Sequence, residues 1–328
     1  MKVFITRDIP EIGIQMLQNE GLEVEISQEE EPLNRDELIS RVQDFDAVLT
    51  MGPDPIDKVF LQSCKHLKII SQLAAGYNNI DVDEATNLGI PLGYAPNAMS
   101  DATADVAFML MLAASRKMCY MHKKIIANEW GSFRPKANLG MELKNKTLGI
   151  FGLGNIGFEM AKRCRGAYGM KVIYFNRGIN TIAEKELGAK RVSFDELLEK
   201  SDVLSVHSIL SSETKGTFDI NAFKKMKSTA IFINTSRGQL HVEGDLIEAL
   251  SQNIIWGAGL DVTNPEPMAS DNPLLKMENV AITPHIGSAT IEARKEMSRM
   301  AAENIIEFFR GNKIPNMINP EINAKMNT

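Results

Sequence analysis

The stretch TLGIFGLGNIGFEMAKRCRGAYGMKVIYFNR, residues 147–177, decides how the rest of the chain is read. An apolar run with strand character, TLGIF (147–151), leads into GLGNIG (152–157), a G-x-G-x-x-G. FEMAKRCRGAYG (158–169) has the composition of a helix, and VIYF (172–175) is a second short apolar run ending at Asn176. Strand, glycine turn, helix and strand within about 30 residues make a βαβ unit. In such a unit the glycines let a dinucleotide pyrophosphate approach the backbone, and the helix N-terminus faces it. Gly152, Gly154 and Gly157, with Asn155 and Ile156 between them, are therefore candidate cofactor-binding residues.

Asn176 lies about 20 positions past the last glycine, where an acidic residue would bond the ribose hydroxyls of NAD and repel the 2′-phosphate of NADP. This chain has Asn176 followed by Arg177. Asparagine removes the repulsion, and a guanidinium can donate charge-assisted hydrogen bonds to a phosphate. One such bond is worth about 1.5–3 kcal/mol, or roughly ten- to a hundredfold in preference. The pair favours NADP(H) over NAD(H). The plainer alternative, in which Arg177 is a solvated strand-end charge, stays open at this point.

Outward from this unit the same alternation repeats on both sides. Lys2–Thr6, Leu22–Ile26, Ala47–Thr50, Leu67–Ser71 and Ile90–Gly93 read as strands, with helical segments such as Ile9–Asn19, Arg35–Val42 and Asp81–Leu88 between them. Beyond the central unit come Val203–His207, Ala230–Asn234, Gly257–Asp261 and Val280–Thr283. Alternation of this kind predicts an α/β protein with two doubly wound parallel-sheet domains, the second of Rossmann type. Turn residues at 96–100 precede a long helix-forming run, and 288–310 reads as a final helix. If that helix returns to the first domain, residues 1–99 and 288–328 form one domain and 100–287 the other.

The 328 residues suit about two domains, each able to bury its own core. With 44% hydrophobic and 24% charged residues, the composition is that of a globular protein. A net charge of −6 argues against nucleic acid as the main partner. The opening MKVFITRDIPEIG reads as a first strand and not a signal peptide. The most apolar helical run, Ala104–Ala114, contains Asp105 and is far shorter than the about 20 residues that span a bilayer. Cys64, Cys119 and Cys164 are odd in number and form no C-x-x-C, as expected of buried thiols in a reducing compartment. The expectation is a cytoplasmic protein with no membrane partner and no bound metal.

Three further segments each follow a predicted strand: INTSRG (233–238), GLDVTNPEP (259–267) and TPHIGS (283–288). Ligands bind at the carboxyl ends of strands in an open parallel sheet, so these distant segments converge. They offer Arg237, Glu266 and His285. A guanidinium can hold a carboxylate, an imidazole can move a proton near neutral pH, and a carboxylate can orient that imidazole. The other histidines act as controls. His66 and His122 sit in charged stretches, His241 reads as a surface residue leading into a helix, and His207 ends a strand that could line a cofactor cleft. Only His285 combines a strand end, a preceding proline and a following glycine; a merely packed or capping histidine stays open on this pattern alone.

With AAGYNNID (74–81), PNAMSDATADVAFMLMLAASR (96–116), TLGIFGLGNIG (147–157), NTSRG (234–238), LDVTNPEP (260–267) and TPHIGS (283–288), the chain resembles the D-isomer-specific 2-hydroxyacid dehydrogenases over essentially its whole length. DATAD and WGSFRP (130–135) are most similar to the glyoxylate/hydroxypyruvate reductase branch, which often uses NADPH. The resemblance implies a flavodoxin-like substrate domain built from both chain ends, a Rossmann cofactor domain and a homodimer joined through the latter. It implies that Arg237 binds the carboxylate of a small 2-keto or 2-hydroxy acid and polarises the keto group. His285 would be the acid that protonates the keto oxygen, held by Glu266. Asp261 would anchor the nicotinamide carboxamide, and Thr103, His207, Thr235, Ser236 and Gly287 would lie along the cofactor. Backbone amides at Ala75 and Gly76 would cradle the substrate carboxylate.

Two departures from the family pattern stand out. His207-Ser208-Ile209 has no proline after the histidine, and Val242 occupies a position after the arginine loop that is often acidic. Phosphonate dehydrogenases and 2-ketogluconate reductases share the Arg–Glu–His pattern, so the resemblance leaves them as alternative activities. Formate dehydrogenases carry glutamine where Glu266 stands. Nucleotide-sensing co-repressors resemble the same family but carry extra tails, which this chain is expected to lack.

Overall fold

Each short apolar run becomes a strand, and every strand pairs in parallel. In the computed structural model, which describes residues 1–322, β1 (Lys2–Ile5), β2 (Glu23–Ile26), β3 (Ala47–Thr50), β4 (Ile69–Gln72) and β5 (Leu92–Gly93) form one sheet in the order β2-β1-β3-β4-β5. The intervening helices are α1 (Glu11–Asn19), α2 (Arg35–Arg41), α3 (Lys58–Ser63) and α4 (Val82–Leu88). Their starts are written locally. Asn34, Asp57 and Asp81 each accept a hydrogen bond from a backbone amide of the first turn, satisfying donors that a helix leaves open. β3 and β4 are buried at every position, as a sheet covered by helices on both faces requires.

The second sheet contains β6 (Thr147–Phe151), β7 (Lys171–Phe175), β8 (Lys190–Arg191), β9 (Val203–Val206), β10 (Ile231–Asn234), β11 (Gly257–Leu260) and β12 (Val280–Ile282). Its order is β12-β11-β10-β9-β6-β7-β8, the doubly wound arrangement with its switch point between β6 and β9. Around it lie α5 (Ser100–Ser115), α6 (Met118–Ile126), α7 (Asn155–Tyr168), α8 (Thr181–Leu187), α9 (Phe194–Lys200), α10 (Ile220–Lys225) and α11 (Glu243–Ser251). The long α12 (Ile291–Phe309) follows, its first turn capped by Thr290. The chain thus divides into one unit of Met1–Met99 with the chain from Ala289 onward, and another of Ser100–Ser288. Two element starts shift by two or three residues: β5 begins at Leu92 and not Ile90, and α7 begins inside the glycine motif, at Asn155 and not Phe158.

Polar contacts tie the C-terminal segment into the first unit. On α12, Ser298 Oγ donates to the Pro10 carbonyl at 2.7 Å, where Gly13 on α1 leaves room for it. Asn304, fully buried, donates to the Tyr94 carbonyl at 2.9 Å and accepts from the Asn316 amide at 3.1 Å. The segment after α12 then lies along β5, with the Ile318 amide donating to Leu92 at 2.8 Å. Replacing Asn304 with alanine strands two part-buried backbone groups, the Tyr94 carbonyl and the Asn316 amide, each worth up to about 1–3 kcal/mol. A denaturant titration of Asn304→Ala is expected to show a loss of that size, and wild-type stability would contradict this account of the join.

Candidate active site

In the second unit, the residues singled out from the sequence occupy the first positions beyond successive strands. Gly152 follows β6, Asn176 follows β7, His207 follows β9, Thr235 follows β10, Asp261 follows β11, and the 283–287 loop follows β12. His207, Asp261 and Thr283, expected inside strands, each lie one residue past the end, where the backbone turns and side chains can face a ligand.

The glycine loop fits a dinucleotide. Gly152 has φ +92°, and a Cβ there would lie 2.6 Å from the Ser208 amide, so only glycine lets the 207–208 segment pass. A Cβ on Gly157 would meet the Gly152 carbonyl at 2.9 Å, setting the close approach of α7 to the loop. Gly154, the N-cap of α7, faces open space at the helix N-terminus, where Asn155 and Ile156 form the first turn. That opening, with helical amides directed at it, suits a pyrophosphate.

The end of β7 is more engaged than the sequence suggests. Asn176 Oδ1 accepts from the Leu153 amide at 2.6 Å and its Nδ2 donates to the Leu153 carbonyl at 3.1 Å, so this side chain clasps the glycine loop. Arg177 is exposed beside it. Arg191, which the sequence reading missed, donates from Nε to the Asn176 carbonyl and from Nη2 to the Arg177 carbonyl, at 3.0 and 2.9 Å. It brings a second guanidinium to the same corner from β8.

His207 Nε2 contacts Ser205 Oγ at 2.8 Å and its Nδ1 lies 3.5 Å from Thr235 Oγ1. Burial pushes its pKa down to about 3, so the ring is neutral. Ser236 Oγ donates to the Val206 carbonyl at 3.0 Å, joining the loops after β9 and β10. Thr103 Oγ1 donates to the Gly287 carbonyl at 3.0 Å. Asp261 is buried; Thr283 Oγ1 and the Ile286 amide donate to its Oδ1, and the Gly287 amide to its Oδ2. Burial raises the Asp261 pKa, against the lowering effect of these bonds.

His285 Nδ1 lies 2.9 Å from Glu266 Oε1, and both side chains remain partly open to solvent. The His285 backbone has φ +53°, a left-handed conformation that costs a non-glycine residue about 1–2 kcal/mol. Its amide donates to the Asp261 carbonyl at 2.9 Å, which holds it there. Arg237 is half-buried, with Nη1 donating to the Ser236 carbonyl at 2.7 Å. Burial lowers its pKa and the charge of Glu266 raises it. Glu243, at the start of α11, accepts from the Asn264 amide and from Asn272 Nδ2, anchoring the loop that carries Glu266. In the first unit, Gly76 lies on the loop after β4, where its carbonyl accepts from Gln72 Nε2 at 3.2 Å, with Ala75 before it.

One histidine is corrected. His241 is not a surface residue: it is 2% exposed, under the arginine loop and against Phe232. Its Nδ1 lies 3.0 Å from Asn234 Nδ2, a pairing that sequence patterns do not announce.

A glycine-cradled dinucleotide site, with an arginine and a histidine–carboxylate pair on neighbouring strand-end loops, defines the class: a nicotinamide-dependent oxidoreductase. The family profile described as D-isomer specific 2-hydroxyacid dehydrogenase, NAD binding domain, matches residues 108–287. A glyoxylate reductase from Thermococcus litoralis is 43% identical over 98% of this chain and 97% of its own length. Among solved structures, the TT0316 protein from Thermus thermophilus aligns with a TM-score of 0.90 at 35% identity, covering 97% of this chain and 100% of its own. A glyoxylate reductase from Paecilomyes thermophila aligns with a TM-score of 0.88 at 33% identity, over 98% and 99%. The chain belongs to the D-isomer-specific 2-hydroxyacid dehydrogenase family.

Burial of His207 and His241, whose pKa values fall to about 3 and about 4, links stability to pH. Unfolded, each would titrate near 6.5, so below that pH the unfolded chain binds more protons than the native one. Stability is full above about pH 6.5 and declines as acid is added. Denaturant midpoints followed from about pH 7.5 to about 5 are expected to fall, and His207→Gln to flatten the slope by about one proton. An unaltered slope would mean that His207 titrates normally.

Proposed function

We propose that this protein reduces glyoxylate or hydroxypyruvate to the D-2-hydroxy acid and prefers NADPH to NADH. The observation that carries the reading is the 2.9 Å contact of His285 with Glu266, on loops neighbouring Arg237 in a cofactor domain of this family. The substrate preference follows the glyoxylate reductases to which the chain is similar.

The nicotinamide supplies the hydride. Arg237 pairs its planar fork with the substrate carboxylate and draws charge from the keto oxygen. Glu266 occupies Nδ1 of His285, which leaves Nε2 to give its proton to that oxygen; in the reverse direction the same atom takes it back. The unit containing Ala75 and Gly76 is the substrate domain, with those amides offered to the carboxylate. Gly152, Gly154, Asn155, Ile156 and Gly157 hold the pyrophosphate, while Thr103, His207, Thr235, Ser236 and Gly287 line the cofactor. A carboxylate has room for about four hydrogen bonds. Asp261 uses three on the 283–287 loop, which leaves Oδ2 able to accept one more from the carboxamide. Asn176 offers no charge to repel a 2′-phosphate, and Arg177 and Arg191 supply two cations beside it.

The protein works as a homodimer joined through the cofactor domain. α6 buries none of its residues, and Ile126, Trp130, Phe133 and Leu139 are 73%, 80%, 90% and 61% exposed. Large apolar groups concentrated on one segment mark a surface that is covered in use. The three cysteines are unpaired, as suits the cytoplasm.

A panel of 2-keto acids assayed with NADPH and NADH should show glyoxylate and hydroxypyruvate turned over faster with NADPH. In the same assay His285→Asn should lower kcat by about 10²–10⁴, the usual worth of a positioned acid. Near wild-type turnover in that variant would sink the assignment, and a preference for NADH would sink the cofactor reading. Light scattering should give twice the chain mass for the wild type and a smaller particle for Phe133→Ser. A monomeric wild type would refute the dimer.

A further inference from the structure

His241 has no explanation in stability. A leucine would fill its buried position, edge-on to Phe232 at 5.8 Å, without the cost of enclosing an imidazole. Burial pushes the pKa of the ring down to about 4, so it is neutral in the cell and only one nitrogen carries a proton.

The surrounding hydrogen bonds decide which nitrogen that is. The Ser236 amide donates to Asn234 Oδ1 at 3.0 Å, and Asn234 Nδ2 donates to the Arg237 carbonyl at 2.9 Å. These two contacts fix the orientation of the Asn234 amide. The second hydrogen on Nδ2 points to His241 Nδ1 at 3.0 Å, so Nδ1 accepts and the proton sits on Nε2. That Nε2 is buried and has no hydrogen-bond partner among the described residues. The fold tolerates an orphaned donor in order to present a lone pair to Asn234.

The turn that follows is pinned on its other sides. Gly238 packs so closely on the Thr263 carbonyl that no Cβ would fit. The Gly216 amide donates to the Gln239 carbonyl at 2.8 Å and the Phe218 amide to Leu240 at 3.1 Å. Neither contact reaches the two groups that Asn234 holds on either side of the 236–237 peptide, the Ser236 amide and the Arg237 carbonyl, the latter shared with the Leu240 amide at 3.2 Å. The Arg237 guanidinium folds back onto the peptide between these two groups, through the Ser236 carbonyl, so it moves when the held groups turn.

We propose that His241 is a positioning residue for substrate binding: its Nδ1 lone pair holds the Asn234 amide, and through it the Ser236–Arg237 turn, in the orientation that aims Arg237 at the substrate carboxylate. The proposal rests on the reading of Arg237 given above. His241→Leu keeps the bulk and removes the acceptor, whereas His241→Asn places Oδ1 where Nδ1 stood. In steady-state assays of the full chain with glyoxylate and NADPH, His241→Leu is expected to raise the KM for glyoxylate about tenfold, equivalent to about 1.4 kcal/mol. Its kcat and its KM for NADPH should stay within about threefold of wild type, and His241→Asn should restore the glyoxylate KM to within about threefold.

An unchanged glyoxylate KM in His241→Leu overturns the proposal. So does a loss spread evenly over kcat and both KM values that His241→Asn fails to rescue, because that is what a merely structural role produces. Arg237→Ala, run alongside, separates the two layers. If it leaves the glyoxylate KM unmoved, the reading of Arg237 fails and this proposal with it; if it raises KM while His241→Leu does not, only this proposal fails. Should His241→Leu not fold, the wild type labelled with ¹⁵N-histidine decides. An Nε2–H tautomer at His241 supports the proposal, and an Nδ1–H tautomer overturns it.

Discussion

The Asp261 carboxylate, buried at the end of β11, gathers the loop after β12 around itself: the Thr283 hydroxyl and the amides of Ile286 and Gly287 all donate to it. Its own backbone carbonyl takes the amide of His285. These bonds hold His285 in the left-handed region at a cost of about 1–2 kcal/mol. Hydrogen bonds to a charged acceptor contribute about 1.5–3 kcal/mol each, so three of them outweigh the strain of one residue. Burial opposes the arrangement by raising the pKa of the carboxyl, and the ring of donors is what keeps an anion tolerable there. The side of the site that carries the His285–Glu266 pair is therefore set by a residue outside that pair.

A chain with a net charge of −6 binds anions because the two facts operate at different ranges. Ionic screening limits surface charge to about 8–10 Å in physiological salt. Within the strand-end crevice the local groups decide. The open N-terminus of α7 and the half-buried guanidinium of Arg237 are positive, as is the Arg177–Arg191 corner at the end of β7. Composition thus argues against a nucleic-acid partner without bearing on a small anionic substrate.

What the sequence made legible was whatever depends on strand ends. Parallel strands bury both faces, so they read as apolar runs, and the residue just past each run is almost forced to face the crevice. The loops carrying Arg237, Glu266 and His285 could be found this way, Gly152 came from its glycine motif, and Thr235 and Asp261 came with the family resemblance. Arg191, Asn234, His241 and Glu243 could not, because each acts through a partner brought near by the fold. Arg191 reaches the carbonyls of Asn176 and Arg177 across β7 and β8, and Glu243 reaches the 264–272 loop from α11. Asn176 shows the same limit in a residue that was singled out. Its position suggested cofactor choice, whereas its side chain is spent on the glycine loop.

The same geometry explains why the core beneath the site is polar. Asn234, His241, Asp261 and Thr263 are all nearly inaccessible, at positions where apolar side chains would pack without desolvation cost. Apolar contacts are non-directional and fill space, but they do not fix the rotation of a peptide plane. Hydrogen bonds do, and in a low-dielectric setting a misrotated one leaves a buried group unpaired. Around Asn234 both amide hydrogens and its oxygen are used, so one arrangement of the Ser236 amide and the Arg237 carbonyl satisfies all the groups together. The unpartnered Nε2 of His241 is the cost left over, one donor unsatisfied so that three others have a single solution. Orientation at Arg237 is bought with stability beneath it, and a more stable apolar core at this point would be a less exact one.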